Sequence, residues 1–474
     1  MADHTSMDDN LTRNQKKEGS AVSDSMRFNV KPVAVRSENI LTSIKSSNGN
    51  AFSGDGSSQV IFDVPAMAGG YYLDTASSRF SFNIGFTDTN GNATNLTGGT
   101  AYLDRGLHSL FNRWQLYDAS GHLLEDIQNY HLLYAITELC TANPIQRQSR
   151  GSFYKECRGG TDPTNGGGLY GASTADAPIL TTATTLLNFS LTFNSAIFGG
   201  GATKYYPLSA MNGFRIVLTL NNFNNAFACT FTGGSVAAYR ITDPTIYTNM
   251  IRVDPAVDRG LIASSRGKDG RIRIPTQSWR TYTAPLQPTD TVLNRVIPIS
   301  VSSLKALFFC FVNQNPSLNQ SATACYARYL QSYQLFVGSI AIPTTPVQVV
   351  PTAGAGFATY NEAISETMRA WHVRIQDADW PSMFTNTNGM ILQEPANINS
   401  PQASNIVFGV ELESMSNKSN VIESGANVLN NNIELRCNFT QGTTSTTGMN
   451  VVFFALHDVF IVIDPDTGIS SLEF

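Results

Sequence analysis

Charge is scarce in this chain. Only 14% of its 474 residues are Asp, Glu, Lys or Arg, against about 25% in an ordinary soluble domain. With 42% hydrophobic residues, the surface has to be covered by Ser, Thr, Asn, Gln and Gly, which favours a β-rich protein with long polar loops. The net charge is −5, so no global field draws the chain to nucleic acid or acidic lipid. Cysteines are few and scattered: Cys140, Cys157, Cys229, Cys310, Cys325 and Cys437 lack the paired short spacings that build zinc sites, and read as free buried thiols. The N-terminal MADHTSMDDNLTRNQKK has no apolar core of the kind a secretory signal needs, so export is not expected. The sequons at Asn92 and Asn438 then carry no argument for glycosylation. The longest apolar run, VVFFALHDVFIVI at 451–463, is broken by His457 and Asp458 and falls short of the ~18 residues of a membrane helix.

Length exceeds the ~250–300 residues at which a single core stops growing, so two domains or a duplicated architecture is expected. Residues 1–57 are polar, with seven acids and seven bases up to Gln59, and read as a mobile, electrically balanced arm. Beyond them the dominant signal is period two, which sends alternate side chains to opposite faces of a strand. RFSFNIGF aligns Phe80, Phe82, Ile84 and Phe86; NFSLTF aligns Phe189, Leu191 and Phe193. FRIVLTL aligns Phe214, Ile216, Leu218 and Leu220; NIELRCNFT sets Ile433, Leu435, Cys437 and Phe439 against Glu434, Arg436, Asn438 and Thr440. These are half-buried strands of a sandwich.

Helix signals sit between strands. DIQNYHLLYAITEL offers Asp126 as an N-cap for a helix over 126–139. YNEAISETMRAW spaces Tyr360, Ile364, Met368 and Trp371 on one face, and VDPAVDRGLIAS pairs an Asp254 cap with Pro255 at the first helical position. The last falls near mid-chain. The halves echo each other around it: SQVIFDVP and GRIRIP are opening strands closed by proline, and each half later runs from a strand through a turn into a helix. The expected organisation is an arm over 1–57, a first sandwich over 58–252, a connecting helix and linker over 253–269, and a second sandwich over 270–474.

Chemistry is hard to place. LDTASS (73–78) and PDTGIS (465–470) resemble the paired motifs of aspartic proteases, but Ala76 replaces the loop glycine and DPDTG reads as a turn. GGGLYG at 166–171 follows no strand, and no GxxxxGK[ST], HExxH or GxSxG is present. His108, His122 and His131 match no ligand spacing and read as polar rim or interface residues. One basic segment, RGKDGRIRIPTQSWR, contributes Arg266, Lys268, Arg271, Arg273 and Arg280. Its alternation puts Arg271 and Arg273 on one strand face, able to meet phosphate, a neighbouring subunit or solvent, with few aromatics to stack bases.

Three stretches carry a family resemblance: LHSLFNRWQLYDASGHLLEDIQNYHLLYAI, SYQLFVGSIAIPTTPVQV leading into YNEAISETMRAW, and ESGANVLNNNIELRCNF. Over most of residues 56–474 the chain resembles the double jelly-roll major capsid proteins of double-stranded DNA viruses, particularly polinton-like, adintovirus-like and virophage-type members. That resemblance implies an all-β fold of two tandem eight-stranded jelly rolls with a few short helices in loops. It implies no catalysis and no cofactor or metal. Three copies would form a pseudo-hexameric capsomer that tiles an icosahedral shell, with neighbouring capsomers and minor capsid or penton proteins as partners and no sequence-specific nucleic acid. The expected location is the virion, assembled in the host cytoplasm or nucleus. The arm would order on the inner face or across a neighbour, and helix 126–139 would position the loop 141–186 at a capsomer edge or tower. Two other readings stand beside it. One is a single jelly-roll coat or fibre protein. The other is a carbohydrate-binding or carbohydrate-cleaving sandwich using Trp114, Trp279, Trp371 and Trp380 with Glu125/Asp126 or Glu411/Glu413.

Overall fold

The computed structural model describes residues 36–88, 93–94, 99–104, 106–141, 187–198, 204–231, 236–314, 322–323, 325–326, 330–349, 361–372, 406–413, 425–439 and 448–473. In the first half the strands are β1 (Ser37–Lys45), β2 (Ala51–Ser53), β3 (Gln59–Pro65), β4 (Tyr71–Asp88), β5 (Ala93–Thr94), β6 (Gly99–Leu103), β7 (Phe111–Asp118), β8 (Leu123–Gln128), β9 (Leu187–Leu191), β10 (Tyr206–Pro207), β11 (Gly213–Leu220), β12 (Phe227–Phe231) and β13 (Val236–Val253). Helix α1 (Tyr130–Thr141) follows β8, and a single turn, α2 (Phe223–Ala226), follows β11. Helix α3 (Pro255–Ser265) then leads into the second half: β14 (Ile272–Leu286), β15 (Val292–Ile297), β16 (Leu304–Asn313), β17 (Leu330–Val337), β18 (Ile340–Gln348), β19 (Phe408–Glu411), β20 (Ile433–Phe439), β21 (Met449–Ile463) and β22 (Ser470–Glu473), with α4 (Asn361–Ala370) after β18.

Hydrogen bonding gives the two halves one plan. In the second, one sheet runs β14-β21-β16-β19 and the other β15-β20-β17-β18. Counting β14 to β21 as strands one to eight, these orders are 1-8-3-6 and 2-7-4-5, the wiring of a jelly roll. The first half repeats it, with β1-β13-β4-β10 and β3-β11-β7-β8. There β1 and β2 share the first position and β9 and β10 the sixth. In each half a helix, α1 or α4, follows the fifth strand, so the echo in sequence is an echo in topology.

Alternation explains the cores. Phe80, Phe82, Ile84 and Phe86 of β4 are all buried, and the rings of Phe80 and Phe82 meet Phe62, Phe111 and Phe193 at 5.5–6.1 Å between centroids, at about 1.5–3 kcal/mol of burial per ring. β11 and β20 bury the residues their spacing selects. The run 451–463 is β21, buried on both faces between β14 and β16 and paired with β14 from Ile272 opposite Ile463 to Leu286 opposite Met449. A central strand covered on both sides needs no polar alternation. Among the described residues no helix is long and apolar enough to cross a membrane, and Cys140, Cys310, Cys325 and Cys437 are buried. α3 starts as its sequence requires: Asp254 accepts the Ala256 N–H at 2.8 Å, with Pro255 in the first turn.

Two local expectations change. Residues 37–53, polar enough to read as part of an arm, carry β1 and β2 and pair with β13. Asp126 does not cap a helix: residues 123–128 form β8, and Asn129, in the left-handed region at φ 51°, turns the chain into α1 at Tyr130. The loop 141–186 falls almost wholly outside the described residues.

Candidate functional site

The halves meet along β8 and β14, and a buried carboxylate sits at that junction. Glu125 accepts the indole N–H of Trp114 at 2.9 Å and the Ala196 N–H at 2.9 Å from its own half, and the Ser278 hydroxyl at 2.8 Å from the other. Burial pushes its pKa up, against the pull of these donors. Elsewhere between the halves Asn129 donates to Thr283, the Thr323 N–H donates to Asp104, and the Ser470 N–H donates to Asp118. At the far end the Asp464–Gly468 turn packs on Asn212, whose backbone and side-chain N–H groups donate to Gly468 and Thr467. A Cβ on Gly468 would lie 2.3 Å from the Asn212 amide oxygen, and its φ of 70° already disfavours a side chain. The DPDTG stretch is therefore a junction turn, with Asp466 paired to Arg266, while Asp74 lies in β4 of the first half, opposite Asn249 of β13.

The basic segment is brought together only in part. Arg266 holds Asp466 through two bonds of 2.8 and 3.2 Å, and Arg273 bridges Asp269 at 2.9 Å and Glu473 at 2.7 Å. The Arg273 guanidinium keeps the Asp269 carboxyl below the usual range. Lys268 and Arg271 lie exposed beside these pairs, whereas Arg280 sits further along β14, opposite Ala455. The face mixes both signs, so it is no continuous positive strip of the kind that tracks a phosphate backbone.

Two of the three histidines read as rim residues are core residues. His108 is buried, stacks on Tyr134 at 3.4 Å and bonds Thr192 O at 2.8 Å; His131 is buried on α1. Burial lowers each pKa to about 4. Only His122 is exposed, 3.0 Å from Asp118. The aromatic platforms a sugar would need are absent among the described tryptophans: Trp114 and Trp279 are buried, and Trp371 stacks on Phe308 at 4.2 Å. Trp380 and the GGGLYG stretch lie outside the described residues.

One cluster has the composition of a metal centre. His372, just past α4, lies 3.0 Å from Glu413 Oε2 and 3.9 Å from Glu411 Oε1, and the three residues offer ligand atoms within 4.8 Å of one another. Lys305 Nζ is 2.8 Å from the other Glu413 oxygen and 3.5 Å from Asp458, and Arg369 bonds the other Glu411 oxygen.

No family model and no curated protein matches the sequence. Solved structures match it over nearly its whole length. The PBCV-1 virus capsid aligns with a TM-score of 0.58 at 11% identity, covering 94% of this chain and 100% of that one. The Sputnik virophage structure gives 0.59 at 12% identity, covering 96% and 92%. The mavirus major capsid protein gives 0.54 at 11%, covering 96% and 93%. The fold is the double jelly roll of major capsid proteins. In this double jelly roll the sequence hides two working groups. Glu125 looked like half of an acidic pair, although strand alternation could have sent it to the opposite face from Asp126. The metal-type cluster left one trace, the i, i+2 spacing of Glu411 and Glu413 at and just past the end of β19; His372 is too far away in sequence to signal its place.

Proposed function

We propose that this chain is a major capsid protein of a DNA virus, whose three copies build a pseudo-hexameric capsomer. The observation that carries the reading is the repetition of one strand order in two jelly rolls fused through a buried junction. Three chains of two like walls make a six-walled ring with three-fold symmetry, a unit suited to hexagonal tiling. The likeness to capsid structures supports this, as does a polar, charge-poor surface suited to many weak lateral contacts. In this reading the role is structural rather than enzymatic, the mixed-charge face around Arg266 and Arg273 is a subunit contact, neighbouring capsomers and minor capsid proteins are the partners, and the virion is the site of action. The division at α3 separates the two walls. A single jelly-roll coat protein does not fit two complete jelly rolls, and a sugar-binding module does not fit packed tryptophans.

The test is the mass of the purified full chain by light scattering after size exclusion, followed by electron microscopy. A stable particle of about three times 51.4 kDa, three-fold in projection, is the expected result. A monomer at all concentrations that forms no ring or shell overturns the proposal.

A further inference from the structure

We propose that His372, Glu411 and Glu413 form a binding site for one divalent transition-metal cation, with zinc the best fit, at the seam between α4 and β19. The argument begins with a defect. Glu411 Oε1 is buried without a hydrogen-bond partner, its side chain is 4% exposed, and it points towards His372 at 3.9 Å, too far for a hydrogen bond. An orphaned carboxylate oxygen in such a place is destabilising unless something cationic meets it. Nor does the imidazole fill the gap, because its close contact, at 3.0 Å, is with Glu413.

A cation does fill it. Zinc bonds of about 2.0–2.2 Å to nitrogen and carboxylate oxygen place ligand atoms roughly 3–4 Å apart, and these ligand atoms already lie within 4.8 Å of one another. The surroundings are those of a prepared site. Each glutamate has one oxygen held by a fixed base, Arg369 on Glu411 and Lys305 on Glu413, and turns the other to the cluster; such outer contacts orient metal ligands. Charge agrees as well. Among the described residues the carboxylates Glu366, Glu411, Glu413 and Asp458 are tied by ion pairs to two bases, Lys305 and Arg369, so the cluster is rich in carboxylates. The half-exposed imidazole supplies an entry path, and one nitrogen with two oxygens favours zinc over calcium or magnesium, which take oxygen ligands. The bound cation would pin the C-terminal end of α4 to the end of β19, two segments that meet only through the fold.

The test uses the full chain stripped by chelator and titrated calorimetrically with zinc chloride, with magnesium and calcium as competitors. Expected are one zinc per chain, no displacement by either competitor, and at least about ten-fold weaker binding in His372→Ala and Glu413→Gln. Because His372 is half exposed, its alanine variant should keep the wild-type circular dichroism. Should either variant misfold, a zinc-edge anomalous map of wild-type crystals decides alone, by a peak between the three residues. Absence of saturable zinc binding, binding unchanged in His372→Ala, displacement by calcium, or an anomalous peak elsewhere overturns the proposal.

Discussion

Burial decides what each ionisable side chain does here, and pH is the way to see it. In the unfolded chain His108 and His131 take up a proton near pH 6.5, but in the folded protein only near 4. Between those values the unfolded state binds more protons, so stability falls as pH is lowered from 6.5 towards 4, by on the order of 3 kcal/mol per histidine once both limits are passed. Glu125 acts in the opposite sense, since burial raises its pKa and its proton uptake favours the fold as pH falls. Urea midpoints between pH 7.5 and 4.5 should decline, and His131→Leu should flatten the decline. An unchanged slope in that variant would remove His131 from the account. None of this was visible beforehand, because a histidine in the core and one on a rim look alike in a list of residues.

Strands were legible where one face is buried, and α3 where its Asp254 cap precedes it. The same logic ranks substitutions. Phe309 in β16 is fully buried against Phe408 and Tyr333, so Phe309→Ala should cost about 3–5 kcal/mol. Asp254→Ala removes only the α3 cap, at about 1 kcal/mol. Urea unfolding that reversed this order would contradict the packing described. The fifth strand, β8, escaped because Glu125 and Asp126 carry charge where an apolar alternation would be read. Asp126 is used by Arg113, through two bonds of 2.6 Å, and Glu125 by the other half of the protein. A local pattern cannot register a partner 153 residues away. The start of the first jelly roll escaped for a related reason: β1 is exposed along most of its length and has almost no buried face to betray it.

For the molecule as a whole, duplication was readable from repeated proline-closed strands and a mid-chain helix, but the junction was not. Two glycines separate its contribution from simple backbone strain. Gly121 and Gly468 both have positive φ, at 89° and 70°, yet a Cβ on Gly121 would meet nothing while one on Gly468 would strike Asn212. Gly121→Ala should therefore lose only about 1–2 kcal/mol of backbone cost, and Gly468→Ala visibly more, with a lower melting temperature by calorimetry. Equal losses would mean that the two jelly rolls do not bear on each other there. The placement of β1 and β2 also governs how the chain can be shortened. Cutting back to residue 57 would take away β1 and β2, the partners of β13 on the side away from β4, and leave a row of unpaired backbone groups, a template for sticking to other chains. A truncation ending at residue 35 leaves that row covered, so clumping after the deeper cut would report a torn sheet rather than the loss of an arm.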